Sequence, residues 1–110
     1  MGRFVKGDVV VVPFPFSDLT LSRRRPALVL ADLTGDDLIL CQITSQSVRD
    51  MYSVELLDSD FVSGGLHKPS NIRPNRLFTA DIHIILYKTG SLKKEKTEGV
   101  IEALVGILKK

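Results

Sequence analysis

Residues 26–44 read PALVLADLTGDDLILCQIT, and this stretch decides the architecture. Residues 27–33 and 38–44 are apolar runs rich in strand formers. Between them, Thr34-Gly35-Asp36-Asp37 has turn composition, with Gly35 free to take a positive φ. Two such runs bounded by turn residues predict an antiparallel hairpin. Pro26 restricts Arg25 to an extended backbone at the hairpin's open end.

Upstream, residues 8–16 read DVVVVPFPF. A valine run this dense predicts a buried strand. Pro13 and Pro15 lack ladder donors, so the end of that strand should lie at an edge or leave the sheet. The polar residues 17–25, SDLTLSRRR, read as a loop. Downstream, residues 45–52 read as a loop and 53–57 as a short strand. Residues 58–65 read as a turn or one helical turn closing on Gly64-Gly65. Residues 66–80 read as two strand pieces broken by Pro69 and Pro74, and 81–88 as a further strand or the start of a helix. In the last segment Ile101, Leu104, Val105 and Leu108 follow helical spacing. Short strands, turns and one terminal helix predict a mainly β chain with α: a small, strongly curved sheet or barrel with a C-terminal helix packed on it.

The chain has 110 residues, a length that favours one domain over 1–110. Its 44% hydrophobic and 25% charged residues fit a globular protein and argue against wholesale disorder. No apolar run approaches the roughly 18 residues needed to cross a membrane. The N-terminal MGRFVKGD has no apolar leader segment, so a cytoplasmic protein is expected. The net charge of +2 does not by itself announce nucleic-acid binding, but the distribution is informative. Arg23, Arg24 and Arg25 are consecutive, and Arg73 and Arg76 flank Pro74. Lys93, Lys94 and Lys96 read as a solvated face. The sequence holds no Trp, so any stacking on bases has to use Phe or Tyr.

Several chemistries can be set aside. The sequence has no GxxxxGK[ST] and no GxGxxG motif. Its single cysteine, Cys41, lies mid-strand and reads as structural rather than nucleophilic. His67 and His83 have no metal-ligand spacing with Cys41 or with each other, and His83 reads as a strand histidine with a structural role.

Two segments stand out: the first is Lys6-Gly7-Asp8-Val9-Val10, followed by Pro13-Phe14 and later by Arg24-Arg25-Pro26-Ala27-Leu28-Val29-Leu30, and the second is Ile43-Thr44-Ser45-Gln46. In this order and spacing they resemble the MazF/PemK family of toxin endoribonucleases. The resemblance covers most of the chain and weakens after about residue 57. It implies an SH3-like or CcdB-like small barrel with a C-terminal helix. It also implies a homodimer that cleaves single-stranded RNA without a metal or other cofactor, and an antitoxin that inhibits it by occupying the RNA groove.

Carried over by position, the family's catalytic arginine falls on Arg25 and its catalytic threonine on Thr44. Arg23, Arg24, Ser45, Gln46 and Arg76 are the expected RNA-binding residues. The loop before Arg25 departs from the family's Gly-Ser-Glu-Gln-Gly-like pattern, since residues 17–23 contain neither glycine nor glutamine. An RNA substrate brings its own nucleophile, the 2′-hydroxyl. The enzyme must splay the strand, align that oxygen with phosphorus and stabilise charge on the phosphorane. A guanidinium offers a planar fork of donors for phosphate oxygens, and its pKa above about 12 makes it a poor base. Arg25 is therefore assigned transition-state electrostatics, with proton donation to the leaving 5′-oxygen a further option, and Thr44 a supporting hydroxyl donor. Either water or Asp18 can take the 2′ proton.

Three readings compete. A CcdB-type gyrase poison shares the fold, but that activity resembles one carried by a C-terminal Trp, which this chain lacks. A non-catalytic RNA-binding barrel would use the same arginines and leave RNA intact in EDTA. A plain interaction module would not bind RNA at all.

Overall fold

The computed structural model describes residues 3–14 and 23–110. Seven strands precede one helix: β1 (Asp8–Phe14), β2 (Arg23–Asp32), β3 (Asp37–Thr44), β4 (Val54–Leu56), β5 (Phe61–Gly64), β6 (Ser70–Asp81), β7 (Tyr87–Leu92) and α1 (Lys94–Leu108). All pairings are antiparallel, in the order β4-β6-β3-β2-β1-β7-β5.

That order forces the sheet to curl. β4 and β5 are its two outer strands, yet they are consecutive in the chain. Laid flat, the outer strands of seven would stand about 29 Å apart at about 4.8 Å per step. The backbone from Leu56 to Phe61, at about 3.3–3.6 Å per residue, reaches no more than about 18 Å. The sheet therefore bends round until its ends meet, and Leu56 and Phe61 share one apolar cluster. The result is the small barrel-like curl with a C-terminal helix that the sequence predicts.

The dense valine run is explained by burial on both faces. Val9 joins Leu28, Cys41, Ile43 and Ile72 beneath α1, which contributes Val100 with Ile101 and Leu104 beside it. Val10 and Val12 join Ala27, Val29, Leu38 and Leu40 on the opposite face, beside Phe4, Phe78, Ile82, Ile84 and Ile85. Asp8 starts β1 as a clasp. Its carboxylate accepts from Val5 N at 3.0 Å and Ser91 Oγ at 3.0 Å, with Lys88 Nζ at 3.4 Å. Gly7, at φ +96°, donates its N–H to Val29 O at 2.9 Å.

The structure corrects several expectations. Arg23, Arg24 and Arg25 are strand residues of β2 rather than loop, paired with Phe14, Pro13 and Val12 of β1. Pro13 is tolerated because β7 pairs β1 only from Asp8 to Val11, so its missing donor faces no neighbouring strand. Residues 58–65 hold a 3₁₀ turn (Asp58–Asp60) and then β5, too short to show a periodicity. Residues 70–81 form one strand, because the break at Pro74 is absorbed as a bulge. Gln42 pairs Arg73 while Cys41 pairs Leu77, leaving residues 74–76 out of the ladder. Residues 82–84 form a 3₁₀ turn that covers the second apolar cluster, so His83 is exposed rather than in a strand. Its ring Nδ1 lies 2.5 Å from Asp81 Oδ1. The buried side of α1 is Thr97 and Val100, with Ile101 and Leu104 half-buried, while Val105 and Leu108 face solvent. None of the helices among the described residues is long and apolar enough to cross a membrane.

Candidate active site

The site forms where β2 and β3 run out at the open end of their hairpin. Ala27 pairs Gln42. The same register carried two residues on sets Arg25 across from Thr44. Side chains alternate between faces along a strand, so the residues on both sides of this pair project to one face and the pair itself to the other.

Each face carries a cleft. The first, of about 320 Å³, is bounded by Arg24, Pro26, Ile43 and Ser45, with Val11, Tyr87 and Lys68 beyond them. The second, of about 240 Å³, is bounded by Phe14, Gln42, Gln46 and Arg73. Arg25 and Thr44 line both, together with Ile43, so the pair forms the ridge between them.

Among the described residues no carboxylate lines either cleft. Arg24, Arg25 and Lys68 face the first, and Arg25 and Arg73 the second. Such a surface attracts an anion and offers guanidinium forks to phosphate oxygens. Thr44 Oγ1 accepts from Gln46 N at 3.1 Å. That contact fixes the hydroxyl oxygen and leaves its own proton to donate elsewhere. The turn after Thr44 is fixed further by Asn71 Nδ2, which donates to Gln46 O at 3.0 Å.

Arg73 reaches the second cleft from β6. Its Nη2 donates to Asp50 Oδ2 at 3.0 Å, and its buried Nε has no acceptor among the described residues. Asp50 also accepts from Tyr52 N at 3.0 Å and Asn75 Nδ2 at 3.4 Å. The Tyr52 N–H contact, followed by the Arg73 and Asn75 contacts, holds the Asp50 carboxyl below its ordinary range against an opposing desolvation effect.

The expected site residues are distributed unevenly. Arg24 and Ser45 line the first cleft with Arg25 and Thr44, and Gln46 lines the second. Arg23 and Arg76 are exposed and line neither; Arg76 is carried outward by the bulge. Asp18, the carboxylate proposed as a base, and most of the loop before Arg25 lie outside the described residues. Sequence reasoning missed Lys68, Tyr87 and the placement of Arg73. These come from distant strands, and only the sheet order brings them to the hairpin. Cys41 is buried, and burial pushes its thiol up to about 12, which rules out a thiolate nucleophile at neutral pH. Asp36, Asp81 and His83 bring ligand atoms within 4.8 Å of one another, but they are exposed and line neither cleft.

The molecule thus joins a small curled antiparallel sheet and a terminal helix to a pair of cationic clefts that carry no carboxylate among the described residues. Residues 5–108 match the family of PemK-like, MazF-like toxins of type II toxin–antitoxin systems. The chain belongs to that family. No curated protein matches the chain's sequence. Among solved structures it is similar to an endoribonuclease in complex with its cognate antitoxin from a mycobacterial species. That match has 14% identity and a TM-score of 0.75, covering 97% of this chain and 96% of that one. It is also similar to the MazE–MazF structure from Deinococcus radiodurans, at 21% identity and TM-score 0.74, covering 96% of each chain. The Mycobacterium tuberculosis toxin MazF-mt6 matches at 16% identity and TM-score 0.72, covering 93% of this chain and 96% of that one. At these identities the structural likenesses establish the fold.

Proposed function

We propose that this toxin is a metal-independent endoribonuclease that cuts single-stranded RNA at the Arg25–Thr44 ridge and thereby inhibits growth. The observation that carries this reading is the position of the pair. Arg25 and Thr44 stand between two cationic clefts, where the phosphate linking two splayed nucleotides would lie. The substrate 2′-oxygen attacks the adjacent phosphorus and loses its proton. The bond from phosphorus to the 5′-oxygen then breaks, and that oxygen takes up a proton. The products are a 2′,3′-cyclic phosphate and a 5′-hydroxyl. Arg25 neutralises the charge that builds on the non-bridging oxygens, and the Thr44 hydroxyl donates to one of them. Water or Asp18 accepts the 2′ proton.

The absence of a carboxylate along the described parts of both clefts favours anionic partners. An antitoxin segment rich in Asp and Glu would compete with RNA for this surface, and salt would weaken both. Above Gly99 and Gly106 of α1 there is open space, and Leu108 and Met51 are exposed. This small-residue face suits a second copy, making the working form a homodimer in the cytoplasm, where mRNA is available.

The test is cleavage of a single-stranded RNA in EDTA. Cuts should disappear when the nucleotide 5′ to the cut carries a 2′-deoxy sugar. Cleavage that survives that replacement, or that needs added metal, would sink the reading.

A further inference from the structure

We propose that the first cleft is a nucleobase subsite in which Tyr87 is the stacking platform and Lys68 the phosphate contact. The inference rests on the ribonuclease reading for its substrate class, single-stranded RNA.

The floor of this cleft is one row of side chains across the sheet. Val11 pairs Pro26 on one side and Tyr87 on the other, and the hairpin register continues the row from Pro26 to Ile43. Directly paired residues in an antiparallel sheet share a face. The apolar row therefore runs from the Arg25–Thr44 ridge to Tyr87, which closes it. Tyr87 is 48% exposed, and it is the one aromatic residue among those described that lines this cleft. At the end of this apolar floor about half of the aromatic residue's surface stays open among the described residues.

The rim has a different chemistry. Lys68, Arg24 and Arg25 are cationic, while Ser45 and Thr44 offer hydroxyls. A π-face, an apolar floor and a cationic rim match the three parts of one nucleotide: a flat base, a sugar edge and a phosphate. A peptide side chain would use the floor but leave the cations unmatched. A free phosphate would use the cations but leave Tyr87 and the floor idle. Because Arg25 belongs to both clefts, a base seated here would belong to a nucleotide flanking the cut.

The test measures binding separately from cleavage. The probe is a short single-stranded RNA with 2′-fluoro sugars throughout, which 2′-oxygen attack cannot cut. Its copies carry an abasic site at each position in turn. At one position, loss of the base should weaken binding to the native protein about tenfold or more. Tyr87→Ala and Tyr87→Leu should bind the intact probe about that weakly, and removing the same base should then cost nothing further. Tyr87→Phe should bind like the native protein. Lys68→Ala should lower the salt slope by about one contact. The Leu and Phe variants keep the strand position filled, so a failure of the Ala variant to fold leaves the comparison intact. Near-native binding by Tyr87→Leu, or additive losses at every position, would overturn the subsite while leaving the cleavage reading standing. A native protein that binds the probe but leaves ordinary RNA uncut in EDTA would overturn the ribonuclease reading alone. Failure to bind the probe at all would overturn the subsite.

Discussion

Arg73 and Asp50 meet at 3.0 Å across the gap between β6 and the loop that follows Thr44. This contact and the Asn71–Gln46 hydrogen bond tie that loop to β6 at two points. Asp50→Asn should therefore loosen the loop carrying Gln46 and lower cleavage through a raised KM more than a lowered kcat. The pH dependence has a definite sign. The Asp50 carboxyl is held below its ordinary range, first by Tyr52 N–H and then by Arg73. The unfolded chain binds that proton more readily, so the stabilisation is present above the unfolded value of about 4 and drains away as pH falls through the lower folded value. The acid limb of the stability profile should be shallower in Asp50→Asn. Superimposable acid limbs would contradict the assignment.

Arg25→Ala should reduce RNA cleavage by about 10²-fold or more, since one preorganised donor to a developing oxyanion is worth about 10²–10³. Arg25→Lys should fail almost as badly because an ammonium cannot form the two-pronged contact. Arg25 is exposed at the end of β2, so the circular dichroism spectrum should not change. Cleavage at the native rate by Arg25→Ala would end its catalytic assignment.

Thr44 gives one hydroxyl two roles, acceptor for Gln46 N and donor to the substrate. Thr44→Ser keeps both the acceptor for Gln46 N and the donor, and should retain most activity. Thr44→Val keeps the shape and loses both, and should fall about 10²-fold in kcat. Equal rates for the two variants would remove the hydroxyl from the mechanism.

Gly64 lies at φ +68°, and a Cβ there would stand 2.1 Å from the Thr89 carbonyl oxygen. Gly64→Ala should cost about 2–4 kcal/mol, combining the left-handed backbone penalty with the overlap. A urea denaturation midpoint equal to that of the native protein would show that β5 can shift away from β7 at no cost.

Cys41 should resist thiol reagents in the folded protein and react only on unfolding, as its raised pKa and burial require. Cys41→Ala should cleave RNA at the native rate. Rapid labelling without denaturant would place the thiol outside the core.

The hairpin was legible because every local signal agreed. Gly35 and two aspartates mark its turn, the apolar runs flank it, and Pro26 extends Arg25. Arg25 and Thr44 were picked out by the family resemblance, and the hairpin reading put them at the ends of those runs. Other parts depended on long-range pairing. Pro74 reads as a strand breaker, yet Cys41 and Gln42 of β3 hold both sides of its bulge. Ile82, Ile84 and Ile85 read as strand because they are apolar, but they sit half-buried against the second cluster, on a 3₁₀ turn and the residue after it. Tyr87 and Lys68 carry no local mark of the cleft they line, because its floor is assembled from β3, β2, β1 and β7. Only the strand order places them there.

The meeting of the outer strands also dictates an order of assembly. The β2–β3 hairpin needs only neighbouring residues, so the arms bearing Arg25 and Thr44 can form early and locally. The ring closes only when Asp8 finds Ser91, 83 positions away, and that search carries a larger loop-closure cost. Floor and ridge are complete only after β7 docks on β1. A nascent chain that has not yet extended past Leu92 thus carries Arg25 and Thr44 without the full floor of the first cleft. On the proposed function, cleavage has to wait for the last strand to dock.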